Sequence, residues 1–396
     1  MAEVKPEIET FAKIKVVGVG GGGGSAVNRM IANGIKGVGF VAINTDVQAL
    51  HYNKAAEKIH IGKTVTRGLG AGMNPDLGKG AAEESQNEIR EVLKDCDMVF
   101  ITCGLGGGTG SGASPIVAQI AKDLGALTVA VVTKPFMFEG GQRKNIADRA
   151  YSELADKVDT IITISNDKLL QIIDKRTSLL DAFKIADDIL RQGVQGIAEI
   201  ITVPGIINAD FADVKAVMAN AGSALMGIGT ATGENKAIEA AKDAINSNLL
   251  DMSIDGARGI VFTITGGPDL SMTEVSEAAK VITSAADEDA KIIFGAVVDE
   301  KMKDTIKITV VATGFDGHTK SQKSESLKTY TPNTFIAEKD NEQEASSTLN
   351  VDKNKNKFSV FKNIPIKPAL EKKAEKPASD EDDDLSVPAF IRKKMG

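Results

Sequence analysis

The hydrophobic positions in the first half of the chain fall into two alternating patterns. Short, uninterrupted apolar runs are typical of buried parallel strands, and the stretches between them carry apolar residues at helical spacing. The runs predict strands over 14–19, 39–43, 98–103, 127–133 and 160–164, and the stretches predict helices over 26–33, 77–94, 113–124 and 141–155. Strands that alternate with helices indicate an α/β fold with a parallel, Rossmann-like sheet, which we assign to a nucleotide-binding domain over 13–177.

A longer helical pattern follows over 178–203 and predicts one central helix. Its apolar stripe has helical spacing and consists of Leu179, Leu180, Phe183, Leu190, Val194, Ile197 and Ile201. Further strand and helix patterns predict a second, smaller α/β domain over 204–316. The strand patterns lie at 222–229, 259–265, 292–298 and 305–312, and the helical patterns at 236–249 and 272–286.

The composition changes near residue 316. Of the 39 glycines, only Gly317 and Gly396 follow Phe315, and the segment after it is rich in Ser, Asn, Lys and Glu. Such a segment cannot bury enough apolar surface to offset the entropy of ordering it, so we predict a disordered linker over 317–380. Residues 1–12 are predicted to be a disordered N-terminus. Apolar residues return between Leu385 and Lys394, so 381–396 is predicted to be a peptide that docks on a partner.

Charge and composition exclude several classes of function. A net charge of −7 argues against nucleic-acid binding. No apolar run reaches the roughly 18 residues of a membrane span, so any membrane contact is expected to be indirect. Cys96 and Cys103 fit neither a disulfide framework nor a zinc site and favour a reduced, cytoplasmic compartment. No metal-ligating residues are expected.

A glycine-rich segment at 104–112 is the strongest chemical signal, with six glycines in nine residues between a predicted strand and helix. Glycines allow successive N–H groups to converge on an anion at the positive end of a helix, which is how phosphate is bound. The segment lacks the Gly-Lys-Ser/Thr of a Walker loop. The residues predicted to contact phosphate are Gly107, Gly108, Thr109 and Gly110.

Two further glycine-rich segments extend this prediction. The first follows the first strand and predicts contacts from Gly21, Gly22, Gly23, Gly24 and Ser25. The other, at 66–75, places Ala71 and Gly72 where their amides would meet a terminal phosphate. Asn44, at the end of the second strand, is predicted to line the same crevice.

The first of these segments also satisfies the dinucleotide fingerprint G-x-G-x-x-G. Gly18, Gly20 and Gly23 match it, and Asp46 follows at a plausible distance. An NAD(P)-dependent Rossmann dehydrogenase is therefore the rival hypothesis. A second phosphate-binding segment argues against it, because a dinucleotide fold uses one.

Residues beyond the later strands are predicted to hold the sugar and the base. Glu139 and Arg143 suit a ribose hydroxyl and a phosphate. Phe183 and Asp187 share one helix face, so the ring can stack on a base while the carboxylate accepts two protons from its edge. Guanine presents two such donors, whereas adenine presents an acceptor at N1 and would be repelled. Asn166 would complete the recognition, and core packing is the alternative role for Phe183.

Asp210 and Asp213 lie at the start of a predicted helix. Carboxylates are favoured near a helix N-terminus and stay ionised there. Their spacing does not distinguish structural capping from catalysis, so both roles stay open at this point.

Together, these motifs resemble the tubulin/FtsZ family of GTPases. The matching segments are 18–24, 44–46, 66–72, 106–112, 133–136, 208–214 and 387–390, with small departures at Ser25 and Ser165. The resemblance implies a GTP hydrolase with GTP and Mg²⁺ as cofactors. It also implies head-to-tail filaments that form the bacterial division ring at mid-cell, on the inner face of the membrane. A non-hydrolysing, nucleotide-gated scaffold is a third hypothesis.

The same resemblance assigns two roles that spacing does not. It implies that Asn208, Asp210 and Asp213 act on the nucleotide of the next subunit, where the two acids polarise the attacking water. It also implies that the stretch from Leu385 to Lys394 binds cell-division adaptor and membrane-tether proteins.

Overall fold

The structure is a computed structural model that describes residues 12–172, 176–203, 205–247, 253–300 and 302–315. The predicted linker at 317–380 and the docking peptide at 381–396 lie outside the described residues. So does the predicted disordered N-terminus, apart from Ala12.

A parallel sheet organises the first half of the chain. Its strands are β1 (Ile14–Val19), β2 (Val38–Asn44), β3 (Glu57–His60), β4 (Met98–Gly104), β5 (Leu127–Lys134) and β6 (Thr160–Ser165). They are arranged in the order β3-β2-β1-β4-β5-β6. The order reverses between β1 and β4, and open α/β sheets bind ligands in the crevice at such a point. Two of the glycine-rich segments directly follow these two strands.

Helices cover both faces of this sheet. They are α1 (Gly20–Ala32), α2 (Val47–His51), α3 (Pro75–Glu84), α4 (Gln86–Leu93), α5 (Gly108–Asp123), α6 (Gly141–Ala155), α7 (Asn166–Ile172) and α8 (Leu179–Thr202). Successive residues of β4 point to opposite faces, so Met98 and Phe100 pack with α1 and α8, whereas Val99 and Ile101 pack with α3 to α6. Among the described helices, none is long and apolar enough to cross a membrane.

The second half extends the same sheet. It contains α9 (Phe211–Met218), β7 (Gly222–Thr232), α10 (Lys236–Ile245), β8 (Gly259–Gly266), α11 (Met272–Thr283), β9 (Lys291–Val298) and β10 (Thr305–Thr313). β7 pairs in parallel with β6, β10 lies antiparallel between β7 and β8, and β9 pairs in parallel with β8. The predicted α/β fold with a long central helix is confirmed.

Several predicted helix boundaries were wrong. α1 and α5 begin at Gly20 and Gly108, so glycines that were predicted to be loop form the first helical turns. Pro115 therefore lies inside α5. The helix predicted over 77–94 is two helices separated at Ser85, a residue type that favours helix boundaries because its side chain competes for backbone groups.

The stripe predicted for the central helix was correct only in part. Leu190, Val194 and Ile197 are buried in the core, whereas Leu180 is 67% exposed. The side chain of Leu179 lies outside the described residues. β3 was missed because it has four residues and only one buried apolar side chain, Ile59.

α3 contacts the start of α5 through a glycine that leaves no room for a side chain. A Cβ on Gly78 would lie 2.4 Å from the carbonyl oxygen of Gly108, whereas a Cβ on Gly80 meets nothing within 4 Å. We expect Gly78→Ala to lower the free energy of unfolding by about 1–3 kcal/mol, because the helices must separate. The matched Gly80→Ala should raise it by about 0.5–1 kcal/mol, because Ala favours the helix. Urea denaturation measures both, and equal stabilities would contradict this packing.

Candidate nucleotide-binding site

The N-termini of α1 and α5 lie side by side at the carboxyl ends of β1 and β4. Gly20 has a φ of +72°, and a Cβ there would lie 2.8 Å from the backbone nitrogen of Gly110. Gly110 in turn lies against Gly104, where its Cβ would be 2.9 Å from the carbonyl oxygen. Any side chain would separate the two helix ends. The first N–H groups of each helix have no intrahelical acceptor, so this junction is suited to an anion.

A cleft of about 300 Å³ opens at this junction and contains most of the predicted ligand residues. Those that line it are Gly21, Gly22, Gly72, Gly107, Gly108, Thr109, Gly110, Glu139, Arg143, Asn166, Phe183 and Asp187. A second pocket of about 220 Å³ is lined by Gly21, Gly24, Ser25 and Asn44. Because Gly21 lines both, the two spaces adjoin at the start of α1.

Two predicted phosphate contacts do not line these spaces. Gly23 is buried, and a Cβ there would lie 2.2 Å from the carbonyl oxygen of Thr102, so this glycine lets α1 pack against β4. Ala71 is also buried, and its carbonyl oxygen lies 2.9 Å from the position of a Cβ on Gly108. Both positions support the site through close packing of the backbone.

The third glycine-rich segment is fixed to the start of α5. The N–H of Gly108 donates to the carbonyl oxygen of Gly72 at 2.8 Å, which brings Gly72 to the edge of the cleft. Gly68, Gly70 and Gly72 all have positive φ, which explains why glycine is needed along this turn.

Hydroxyl groups behind the cleft hold the segments together. The Oγ1 atoms of Thr45 and Thr109 lie 2.6 Å apart in a buried hydrogen bond, and the Ser111 hydroxyl accepts from the N–H of Gly106 at 2.9 Å. The Ser111 oxygen thereby shapes the loop that precedes α5. Thr45 follows Asn44 at the strand end that was predicted to line the crevice, but its bond to Thr109 was not predicted.

Asp46 does not have the environment of a dinucleotide-binding acid. Its Oδ1 accepts from the N–H groups of Gln48 and Ala49 at 2.9 and 3.1 Å, so it caps α2. In a dinucleotide fold, the corresponding acid binds the ribose 2′-hydroxyl. The capping role weakens the dehydrogenase hypothesis.

The predicted base-recognition pair lies on the cleft side of α8. Phe183 is 40% exposed and meets the buried Phe136 edge-on, with ring centroids 5.4 Å apart. This exposure disfavours the core-packing alternative, because one aromatic face stays open to a ligand. Asp187 lines the same cleft one turn further along α8.

Asp187 is a largely buried carboxylate. Burial raises its pKa to about 6, and the nearby positive charge of Arg29 opposes this shift. The Nε of Arg29 lies 3.8 Å from the Oδ2 of Asp187. The carboxylate is therefore mostly ionised at neutral pH, which is the form that accepts two hydrogen bonds.

The remaining polar residues of the cleft differ in whether their side-chain oxygens already accept hydrogen bonds. The Oδ1 of Asn166 is buried and, among the described residues, accepts no hydrogen bond, so a ligand donor would satisfy it. Glu139 accepts from Arg143 and from the N–H of Phe136, each at 3.0 Å. This ion pair fixes the rim of the cleft next to the base-recognition residues.

Asn208, Asp210 and Asp213 lie apart from the two ligand spaces and line neither of them. Asp210 caps α9 by accepting from the N–H of Ala212 at 3.4 Å, and Asp213 lies in the first turn of that helix. The Oδ1 of Asn208 accepts from the N–H of Gly205 at 2.7 Å and shapes the preceding turn. Within this chain, the two acids do not belong to the nucleotide cleft.

Strand order, paired helix N-termini and a cleft without a Walker lysine define an α/β nucleotide-binding protein. Residues 13–174 match the family model described as "Tubulin/FtsZ family, GTPase domain", and residues 222–316 match "FtsZ family, C-terminal domain".

Solved structures agree with these matches. An FtsZ dimer from M. jannaschii is 50% identical, with 77% of this chain and 89% of that chain covered and a TM-score of 0.75. A point mutant of FtsZ from M. jannaschii also has 50% identity and a TM-score of 0.75, with 77% and 92% covered. CetZ2 from Haloferax volcanii, a GTPγS-bound protofilament, shares the fold at 20% identity, with 76% and 92% covered and a TM-score of 0.65.

The chain belongs to the tubulin/FtsZ family. It is an FtsZ-like GTPase, a hydrolase of GTP, and the dehydrogenase hypothesis is not supported.

Proposed function

We propose that the cleft binds one guanine nucleotide, with its phosphates over the N-termini of α1 and α5 and its base against α8. The observation that carries this proposal is the close approach of Gly20 to Gly110, which brings two helix ends together so that both could contact one anion. The exposed ring of Phe183 then stacks on the base, and Asp187 accepts from its N1–H and N2–H₂ groups. Asn166 completes the recognition of the base, and Glu139 and Arg143 hold the sugar side.

The site would hold Mg²⁺ through the phosphates of a bound nucleotide. Among the residues that the structure describes, no three His, Cys, Asp or Glu side chains lie close enough together to hold a metal ion. Mg²⁺ commonly keeps several waters and binds through substrate phosphates, which fits a cleft lined largely by backbone. When bound, it neutralises charge on the β- and γ-phosphates, and the helix ends orient them.

Catalysis requires a second copy of the chain. Asp210 and Asp213 lie outside the cleft that holds the nucleotide, so one chain has the substrate site without these acids. A head-to-tail contact brings the acids of one subunit to the nucleotide of the next, where they polarise the attacking water. Such a contact does not close on itself and produces filaments.

Exposed apolar side chains support this head-to-tail contact, both around the nucleotide cleft and near Asp210. Leu69, Met137, Phe138 and Leu180 belong to segments that reach the cleft, and they are 59–87% exposed. Ile206, close in sequence to Asp210, is 67% exposed. Apolar residues exposed at a functional site are typical of a protein–protein interface.

The biological role we infer is assembly of the division ring. The filament would concentrate at mid-cell on the inner face of the membrane. The stretch from Leu385 to Lys394 would bind adaptor and membrane-tether proteins, so that contact with the membrane is indirect. These roles rest on the family and on the composition of the tail.

The dependence of GTP turnover on protein concentration tests the proposal. A shared site gives a threshold, with almost no phosphate released per molecule in dilute protein and a steep rise once subunits meet. A constant turnover per molecule down to demonstrably monomeric protein would contradict the shared site. Filaments without phosphate release would support the nucleotide-gated scaffold.

The titration of Asp187 predicts a pH dependence of base recognition. Guanine binds the ionised carboxylate, so affinity should fall as the pH drops through about 6, the raised pKa of Asp187. Between pH 7 and pH 5 we expect a loss of roughly tenfold, equal to the fall in the ionised fraction. Competition by guanosine, which carries no phosphate to titrate, measures this loss. Affinity that stays constant across the range would exclude Asp187 as the acceptor.

A further inference from the structure

Arg29 lies on α1 beside Asp187 of α8. Its Nε lies 3.8 Å from the Oδ2 of Asp187, and the two side chains are 29% and 20% exposed. In the described part of the chain, this buried Nε donates no hydrogen bond. The guanidinium therefore attracts the carboxylate at this contact without bonding to it.

The length of this ion pair affects what Asp187 can still bind. A bidentate arginine–carboxylate pair would occupy oxygen lone pairs that guanine needs. A separation of 3.8 Å is too long for a hydrogen bond, so Arg29 leaves them free. The positive charge nevertheless favours the ionised form of the carboxylate.

Several other charged groups near Asp187 have partners of their own. Asp188 accepts from the Nε of Arg191 and from Gln192, each at 2.7 Å, and Arg29 also contributes to lowering the pKa of this carboxyl. The charged groups on the surrounding elements are Glu139 and Arg143 across the cleft, Asp181, Lys184, Asp188 and Arg191 on α8, and Asp243 on α10. Glu139 pairs with Arg143, and Asp181 pairs with Lys184.

We propose that Arg29 is a positioning residue for guanine selectivity, whose guanidinium holds the Asp187 carboxylate as an anion with its oxygens free for the base. This inference rests on the proposed function, because it takes Asp187 as the acceptor for guanine. Arg29 itself touches neither the base nor the phosphates in this proposal.

The electrostatics of the site supports this role. Burial raises the pKa of Asp187 to about 6, and Arg29 is the group that opposes the rise. Without the guanidinium the pKa would rise further, and more of the carboxyl would be protonated near neutral pH. A protonated carboxyl presents a donor where guanine also presents donors, so the base would be bound less well.

Calorimetric titration with GDP tests the proposal, because GDP binds without turnover. Wild type, Arg29→Gln and Arg29→Lys are compared at pH 6.5 and pH 8.0. The GDP affinity of each variant is divided by that of wild type at the same pH, so that the effect of phosphate titration cancels. We expect Arg29→Gln to bind GDP at least about threefold more weakly at pH 6.5, because loss of the neighbouring positive charge raises the pKa of the Asp187 carboxyl, and the deficit should be smaller at pH 8.0. Arg29→Lys, which keeps the charge, should follow wild type at both values.

Selectivity gives a second readout on the same proteins. Inosine diphosphate lacks the 2-amino group and so loses one of the two donors to Asp187. The preference of wild type for GDP over inosine diphosphate should shrink in Arg29→Gln at pH 6.5 and return at pH 8.0. Arg29→Met, which keeps part of the apolar stem, replaces Arg29→Gln if circular dichroism shows that the latter does not fold.

Two results would overturn this role, namely an uncharged variant that binds GDP like wild type at pH 6.5 or one whose deficit is equal at both pH values. An equal deficit would show that Arg29 acts through packing. Failure of the proposed function is distinguishable, because wild type itself would then bind ADP as well as GDP.

Discussion

Replacing Asp210 with Asn is expected to lower GTP turnover by at least about a hundredfold while nucleotide affinity stays at the wild-type value. The carboxylate lies outside the cleft, so binding does not need it, whereas the attacking water at the subunit contact does. Asn caps a helix about as well as Asp, so the fold at α9 is preserved. Phosphate release and GDP titration measure the two effects.

Control variants separate the loss of the Asp210 charge from the loss of the α9 helix cap. Asp210→Ala should lose turnover equally and in addition lose about 1 kcal/mol of stability, because the cap of α9 is removed. Glu239→Gln removes an exposed acid from the first turn of α10 and should leave turnover unchanged. Normal turnover by Asp210→Asn would show that the carboxylate takes no part in hydrolysis.

A second large effect is expected at the start of α5. A Cβ on Gly108 would lie 2.5 Å from the carbonyl oxygen of Gly72 and 2.9 Å from those of Ala71 and Asn74. All three are backbone atoms, so Gly108→Ala must displace the whole turn from the phosphate site. We expect GTP affinity to fall by at least about a hundredfold, since two segments that orient the phosphates are moved apart.

The matched control is another glycine at a helix start. Gly141 begins α6, and a Cβ there meets nothing within 4 Å. Gly141→Ala should therefore bind GTP like wild type. Equal affinities for Gly108→Ala and Gly141→Ala would contradict the close packing on which the phosphate site depends.

The strands of the first half were predictable, except β3, because their uninterrupted apolar runs indicate burial. The predicted strand at 98–103 differs by one residue from β4 (Met98–Gly104), whose first six side chains are all buried. The helix starts were not predictable in the same way. Gly20 and Gly108 have no side chain to show helical spacing and a low intrinsic helix propensity. Glycine is needed at both positions because a Cβ on Gly20 would meet Gly110 and a Cβ on Gly108 would meet Gly72.

Within the candidate site, the sequence indicated the residues whose chemistry suits a guanine nucleotide. It did not indicate residues that only the fold brings into contact with them. Phe183 and Asp187 could be proposed from a four-residue spacing and the pattern of guanine donors. Arg29 could not, because a single charged residue on a helix has no signature until the fold places it 3.8 Å from Asp187. Likewise, the bond between Thr45 and Thr109 joins residues 64 apart in sequence.

The measurement that tests the central claim most directly mixes two inactive variants. Asp210→Asn keeps the nucleotide cleft but lacks the acid, whereas Gly108→Ala keeps the acid but lacks the cleft. In an equal mixture, about a quarter of random head-to-tail contacts would join an intact cleft to an intact acid. We expect GTP turnover to return to roughly that fraction of wild type in the mixture, with neither variant active alone. A mixture as inactive as its components would contradict the claim that each subunit hydrolyses its nucleotide with the acid of its neighbour.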